Sequence, residues 1–541
     1  MSRCNNPSNG PKDREDAVNA YKACKLSDGK PCPPCQRYND LDEQVEKLLA
    51  QKRKLFTEIN RHHDPIISRL PQEMVSRIFE CYVEDDFRVI EDQEDEQDAS
   101  PTSSPLTLGA VCQTWRHIAW SSPPLWTHIR VTLDSPADRI KELEVIQEWL
   151  TRSGQLPLSL FITCKATYDT SAANLPGVYY GLISIVNQYS HRWENLRLVC
   201  SSPGLCRLVL GNSRDAPILR TLCLENPDYS GEIDELYFRM GGVKPRPSHV
   251  RLRWVLPRSL DIDWSHVTRI SMFETTIGLD ECVELLRQVP LLVDCKFNSV
   301  DFMVPTRGFS LPANPAIVHH ALNTLKIEYY SGESTELLLG SFIFPALTNL
   351  TLDGMDDSTN LQSILALIER SSARLTTLTT NVVFYNYDSL IEVLARTPFL
   401  CELNLSSGLT VNDANKLFRL LAKTSSAAKG SSQPPLLPEL RSISYDGRIS
   451  WDASFWALIP SLIIEPDYGS CGSEFRRLSH LEIDDLPSCM ETPICADKNV
   501  VIRILDLSRS GTSVHLTQSG VDILKKSMLH HGINALEDKP V

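Results

Sequence analysis

The sequence predicts an α/β protein, a small helical module followed by a long curved repeat solenoid. Three observations predict it. Helical apolar spacing marks residues 40–63, 67–83 and 107–120. One short apolar pattern then recurs almost to the C-terminus. Apolar residues are also plentiful: of 541 residues, 42% are hydrophobic and 23% charged, with a mean hydropathy of -0.18. That balance fits a soluble globular chain of several domains.

Residues 1–39 are rich in Asn, Pro, Lys and Asp and short of large apolar side chains, so they read as a disordered tail. Over residues 40–64 the pattern becomes helical. Leu41, Val45, Leu48, Leu49, Leu55 and Ile59 fall mostly on one face. Pro65 cannot continue that helix, and it restricts Asp64 before it. Two uses fit a lone amphipathic helix: packing on the neighbouring domain, or a short coiled coil with a partner.

Residues 65–130 predict two helices, 67–83 and 107–120, separated by an acidic insertion at 84–105. The net charge of the chain is -14, and nine acidic residues against one basic between Glu84 and Asp98 supply -8 of it. Such a stretch cannot bury apolar surface and is expected to be mobile. It carries Ser100-Pro101 and Ser104-Pro105, a modification-like pattern that is common by chance.

Residues 131–530 are repetitive. The pattern apolar-x-x-apolar-x-apolar appears at Leu219, Val267, Leu292, Leu322, Leu347, Leu375, Leu400, Leu440, Leu478 and Ile502. From 267 to 400 the starts are separated by 25, 30, 25, 28 and 25 residues, close to the roughly 20–29 of a leucine-rich repeat. Alternating apolar residues bury one face of a short strand. The stretches between carry helical spacing, as in Leu361, Ile364, Leu365 and Ile368, in Leu390, Ile391 and Leu394, and in Leu417, Phe418 and Leu421. Stacked strand–helix units of this kind make an α/β horseshoe with strands on the concave side. The repeats are expected to be irregular, because Tyr330, Met355, Gly408 and Leu486 replace the usual Asn or Cys after the strand. Flexible loops are expected at 424–435 and near 466–472. Residues 531–541 read as a tail.

Strand positions between the apolar residues face the concavity. Glu225, Glu328, Asp353, Asp446 and Asp484 follow the last apolar residue in five repeats, with Lys326, Asn404, Glu482 and Asp506 nearby. They predict an acidic stripe, and a target of basic character to match it. The same residues also fit a solvated strand face with turn-favouring Asp.

Other chemistry finds little footing. Cys32-Pro33-Pro34-Cys35, with Cys4 and Cys24 upstream, is half of a zinc pattern with no second close pair. His62-His63, His319-His320 and His530-His531 are adjacent and point apart, which is not chelating spacing. Phosphate-loop, zinc-protease and serine-hydrolase motifs do not occur, so no cofactor or metal is expected. The negative charge argues against nucleic acid and anionic membranes. No apolar run reaches the roughly 18 residues of a membrane span, and the polar N-terminus lacks a signal-peptide core. Asn349-Leu350-Thr351 and Asn404-Leu405-Ser406 match the glycosylation pattern but lie within predicted strands. The 16 cysteines, many in apolar runs, read as buried thiols in a reducing compartment. The expected address is cytoplasmic or nuclear.

Leu70-Pro71-x-Glu73 with Ile78-Phe79 resembles the opening of an F-box. Val111-Cys112-x-x-Trp115-Arg116-x-x-Ala119 resembles its closing helix. The Pro124-Leu125-Trp126 trailer is similar to that of the expanded F-box families of mushroom-forming fungi, which often couple the F-box to irregular leucine-rich repeats. The resemblance implies a non-catalytic substrate-receptor subunit of an SCF-type ubiquitin ligase, docking a Skp-family adaptor and through it a cullin. It implies adaptor-binding residues Leu70, Pro71, Glu73, Ile78, Phe79, Val111, Cys112 and Trp115. The alternative is an F-box-like scaffold or ligand sensor outside any ligase. By residues alone, Pro71 suits a first helical turn, and Leu70, Ile78, Phe79, Val111 and Trp115 give two short helices apolar surface to pack and to dock.

Overall fold

A computed structural model describes residues 32–63, 69–92, 104–133, 139–164, 177–201, 203–210, 213–227, 236–303, 317–330, 332–354, 361–380, 387–406, 409–425, 436–462, 478–485 and 495–533. The expected tails before Cys32 and after Ile533, the Gln93–Ser103 part of the insertion, and the loops at 426–435 and 466–472 lie outside the described residues. The chain divides into two compact units, Met1–His128 with Glu148–Leu156, and Ile129–Gln147 with Pro157–Val541.

The first unit is helical: α1 (Pro33–His63), α2 (Gln72–Asp92), α3 (Pro105–Val111) and α4 (Gln113–Ser121). Helix α1 starts well before residue 40, where the sequence placed its first turn, and Pro33 and Pro34 sit in that turn, where proline's missing N–H is harmless. Helix α2 starts later than residue 67 and runs nine residues into the expected acidic loop. The single helix expected at 107–120 is two. Cys112 between them is extended (φ -157°, ψ 172°), and its Sγ accepts the Trp115 N–H at 3.4 Å. A side chain that caps a helix takes its own backbone out of the helical region. Ser104 caps α3 in the same way, accepting the Leu106 N–H at 3.1 Å ahead of Pro105.

The core of this unit gathers Val75, Phe79 and Val83 from α2, Leu108 from α3, Ile118 and Ala119 from α4, and Leu125 and Trp126 from the 3-10 turn Pro123–Trp126. Trp126 anchors it: its Nε1–H donates to the Ala119 carbonyl at 2.8 Å, and Trp120 and Trp149 stand edge-on at 5.3 and 4.9 Å. Arg152 covers Trp120 and Trp126 at 5.4 and 5.2 Å and is held by Glu148 at 2.7 Å. These contacts draw Glu148–Leu156 into the helical unit although it lies beyond residue 130. Gly109 packs its bare Cα against the Trp120 ring, and a Cβ there would sit inside that ring.

The second unit is α/β and built on one large, mostly parallel, open sheet of 15 strands. In chain order the strands are β1 (His128–Thr132), β2 (Leu158–Cys164), β3 (Trp193–Cys200), β4 (Thr221–Glu225), β5 (His249–Arg253), β6 (Arg269–Phe273), β7 (Asp294–Asn298) and β8 (Thr324–Tyr330). They continue with β9 (Asn349–Gly354), β10 (Thr377–Thr380), β11 (Glu402–Ser406), β12 (Ser442–Asp446), β13 (His480–Asp485), β14 (Ser513–Gln518) and β15 (Val521–Asp522). Their order in the sheet is their order in the chain. Neighbours from β2 to β14 run parallel, and β15 closes the edge antiparallel.

A backbone detail recurs at nearly every step. The carbonyl just before one strand accepts two amides from the start of the next: Asn323 accepts Thr348 and Asn349 at 2.9 and 3.0 Å, and Thr376 accepts Cys401 and Glu402 at 2.8 and 2.9 Å. All three apolar positions of the pattern are buried in most strands, as with Leu347, Leu350 and Leu352 or Leu400, Leu403 and Leu405. Parallel sheets are usually covered on both faces. Here the strands alternate buried and half-exposed residues, so helices such as Leu361–Ser371 and Val411–Ser425 bury only one face.

Two expectations on strands need correction. The pattern at Ile502 is not a strand but part of the helix Lys498–Arg509. Val501, Ile504 and Leu507 are its buried residues, at helical spacing, and Asp497 caps it by accepting the Asn499 N–H at 2.8 Å. Asp506 is therefore on a helix, and the strand comes later, at β14. Conversely β1, β2, β3 and β5 are strands that the repeat spacing missed. Met355, Gly408 and Leu486 lie outside the described residues. No described helix is long and apolar enough to cross a membrane.

Candidate functional site

The helical unit sorts the eight motif residues into two groups. Phe79 is 1% exposed and touches the Trp115 ring, 4.7 Å between centroids. Leu70 and Trp115 are half-buried against the same core, and Cys112 serves as a cap. These four hold the unit together. Pro71, just before α2, and Glu73 in its first turn are exposed, Ile78 is 42% exposed and Val111 52%. The reason is angular. On α2 the positions Val75, Phe79 and Val83 face the core, which turns Met74, Ile78 and Tyr82 to the outside at spacings of four. Leu106 on α3 is exposed as well. Met74, Tyr82 and Leu106 were not singled out from the sequence, although the four-residue spacing of Met74, Ile78 and Tyr82 was visible there. Large contiguous exposed apolar patches are a mark of protein-binding surfaces.

Helix α1 has a second unpartnered face. Leu41, Val45, Leu48, Leu55 and Ile59 are all exposed. Their spacing of alternately three and four residues, with Lys52 filling one position, is that of a coiled-coil seam.

The sheet unit offers the face on which its strands place their half-exposed residues. The five expected acidic residues do occupy matched register positions: Glu328 opposes Asp353, and Asp446 opposes Asp484. The row is interrupted, however. Arg253, Phe273 and Asn298 hold the same position between Glu225 and Glu328. Glu225 is 2% exposed and paired with Arg197 at 2.7 Å; Glu328 is paired with Lys326 at 2.7 Å. Neither presents a bare negative charge. Asp353, Asp446 and Asp484 do form an acidic region toward the C-terminal end. Burial, and next the Glu328 charge, raises the Asp353 carboxyl above its ordinary range; burial, and next Asp484, does the same to Asp446. Asp484 accepts a hydrogen bond from the Thr517 hydroxyl.

The remaining candidates are structural. Cys32 and Cys35 flank the start of α1, and Cys4 and Cys24 lie outside the described residues. Among the described residues no three His, Cys, Asp or Glu side chains are placed to hold a metal. His319 is buried with Nε2 on the Val289 carbonyl at 2.8 Å, and His531 Nε2 meets the Ala496 carbonyl at 2.7 Å. Burial pushes the Cys282 and Cys295 thiols up, so both stay protonated. No family model matches the chain, and no curated protein matches it either.

Proposed function

We propose that the chain is a substrate-receptor subunit of an SCF-type ubiquitin ligase. The helical unit is read as an F-box that docks a Skp-family adaptor, and through it a cullin. The sheet unit is read as an irregular leucine-rich-repeat horseshoe whose open face holds the target. The observation that carries the reading is the division of the motif: Phe79 and Trp115 pack inward, while Pro71, Ile78 and Val111 stay exposed. The chain would then act by positioning, raising the effective concentration of target lysines beside the ubiquitin-loaded enzyme, and would make or break no bond itself.

Co-expression with a Skp-family adaptor tests this. A stable complex is expected, weakened at least ten-fold by Ile78→Asp with Val111→Asp while the circular dichroism stays unchanged. Absence of any complex, in the intact chain and in one lacking residues 93–103, would refute it.

A further inference from the structure

One row of side chains crosses the open face from end to end, at the position between the two buried residues of each strand. Through β2 to β8 it reads Phe161, Arg197, Cys223, Arg251, Ser271, Lys296 and Lys326, each opposite the next in register. Arg130 on β1 extends it, stacked on Phe161. The row then continues as Thr351, Thr379, Asn404, Ser444, Glu482 and His515. The same face therefore changes sign along its length. On the outward positions of β1 to β8, seven Lys or Arg face three Asp or Glu; on those of β9 to β14, none faces five. The strands of the basic end, β1, β2, β3 and β5 above all, are those that the repeat spacing missed.

The basic end is also preorganised. Phe161 lies between Arg130 and Arg197, at 4.7 and 4.8 Å from their guanidinium carbons. Phe273 lies between Arg251 at 4.4 Å and Lys296 at 5.3 Å. Cations stacked on rings lose less side-chain freedom when a ligand arrives. The bordering carboxylates are already matched within the face, Glu225 to Arg197, Glu274 to Arg253 and Glu328 to Lys326, each at 2.7 Å. Arg269 and Asp294 oppose each other in register.

We propose that this basic end, β1 to β8, is the docking surface for an acidic peptide segment, a run of Asp and Glu side chains carried by a partner protein. The inference deepens the reading of the sheet unit as a target holder and rests on it. Geometry selects the occupant. A single phosphate needs donors that converge on one point, whereas these are strung out one per strand or one per two strands, at about 4.8 Å per strand. From Arg197 to Lys326 is five strand steps, or about 24 Å, which an extended peptide of about seven residues spans. Carboxylates about three residues apart on that peptide meet cations two strands apart, and arginine grips a carboxylate through its planar fork. A long polyanion such as a nucleic acid would run on into the acidic half and be repelled there.

The test uses the full chain and a fluorescent twelve-residue peptide of alternating Glu and Ala, read by anisotropy at low salt. Binding is expected. Arg251→Glu with Lys296→Glu should weaken it at least ten-fold, and the milder Arg251→Gln with Lys296→Gln several-fold. Asp446→Asn with Asp484→Asn should not weaken it. The inference falls if the intact chain ignores the peptide, if the Gln pair binds it unchanged, or if an oligonucleotide of equal charge binds more tightly. Adaptor capture measured on the same samples separates the two readings. Capture without peptide binding overturns only this inference, and peptide binding without capture overturns only the ligase assignment.

Discussion

The two units solve opposite surface problems. The helical unit packs its tryptophans around an aliphatic core and leaves further aliphatic and sulfur-bearing side chains outside; the sheet unit buries its aliphatic residues and leaves charges outside. Val75 and Phe79 go in while Met74 and Ile78 stay out, one residue apart on the same helix. On β5, Val250 and Leu252 go in while Arg251 and Arg253 stay on the open side. The difference teaches what each surface can recognise. An apolar patch gains from removing water and is nearly blind to salt. A charged row gains from Coulomb attraction and is screened within about 10 Å at 0.1 M salt.

That contrast can be broken first at its supports. Trp126→Ala removes a fully buried side chain together with its bond to Ala119. It should cost the helical unit about 3–5 kcal/mol and abolish adaptor capture, while the sheet unit keeps its own urea transition. The matching cut in the sheet is Arg197→Met, which takes the counter-charge from the buried Glu225. A loss of about 3 kcal/mol in the sheet transition is expected, with the helical transition unmoved. If either substitution shifts both transitions equally, the two units are not independent and the contrast loses its basis. Gly109→Ala, which drives a methyl group into the Trp120 ring, should follow at about 1–3 kcal/mol.

Smaller effects sharpen the contrast rather than break it. Leu48→Glu in α1 should abolish any self-association seen by sedimentation, since it places a charge on an exposed seam residue. Raising salt from 0.05 to 0.5 M should leave adaptor binding within a factor of two and weaken acidic-peptide binding at least ten-fold.

How much of this could be read in advance depends on which force set each feature. The strands from β6 to β13 were legible because burial of one face imposes a period of two, and the pattern returns after each crossover; Leu347, Leu350 and Leu352 announce it. The helix at Lys498–Arg509 was not, because Ile502, Leu505 and Leu507 satisfy the strand pattern while Val501, Ile504 and Leu507 satisfy the helical one. The cap at Asp497 decided between them. The break at Cys112 rests on a sulfur accepting one amide, which no periodicity carries. For the site, sequence showed which residues were acidic but not what they met. Glu225 and Glu328 are paired with Arg197 and Lys326, one strand back or two positions along, and only register could reveal it.

The acidic end of the sheet supplies the smallest expected effect and a check on sign. Asp446 stands opposite Asp484, and Asp353 opposite Glu328. Burial, then those neighbouring carboxylates, raises both aspartates above their unfolded values. A raised carboxyl disfavours the folded state wherever it must be charged. The folded chain therefore takes up these protons first, and this contribution to stability grows as pH falls from neutral toward the ordinary carboxylate range. Asp413 works the other way. Thr410 and Lys416 hold its carboxyl low, so the stability it adds is kept at neutral pH and lost as pH falls through that lowered value. Asp446→Asn with Asp353→Asn should raise the urea midpoint of the sheet transition slightly at pH 7 and remove its difference from the parent at low pH. A pair that instead lowers the midpoint at pH 7 would mean that the carboxylates make bonds worth more than their mutual repulsion. The face would then not be a surface held ready for positive charge.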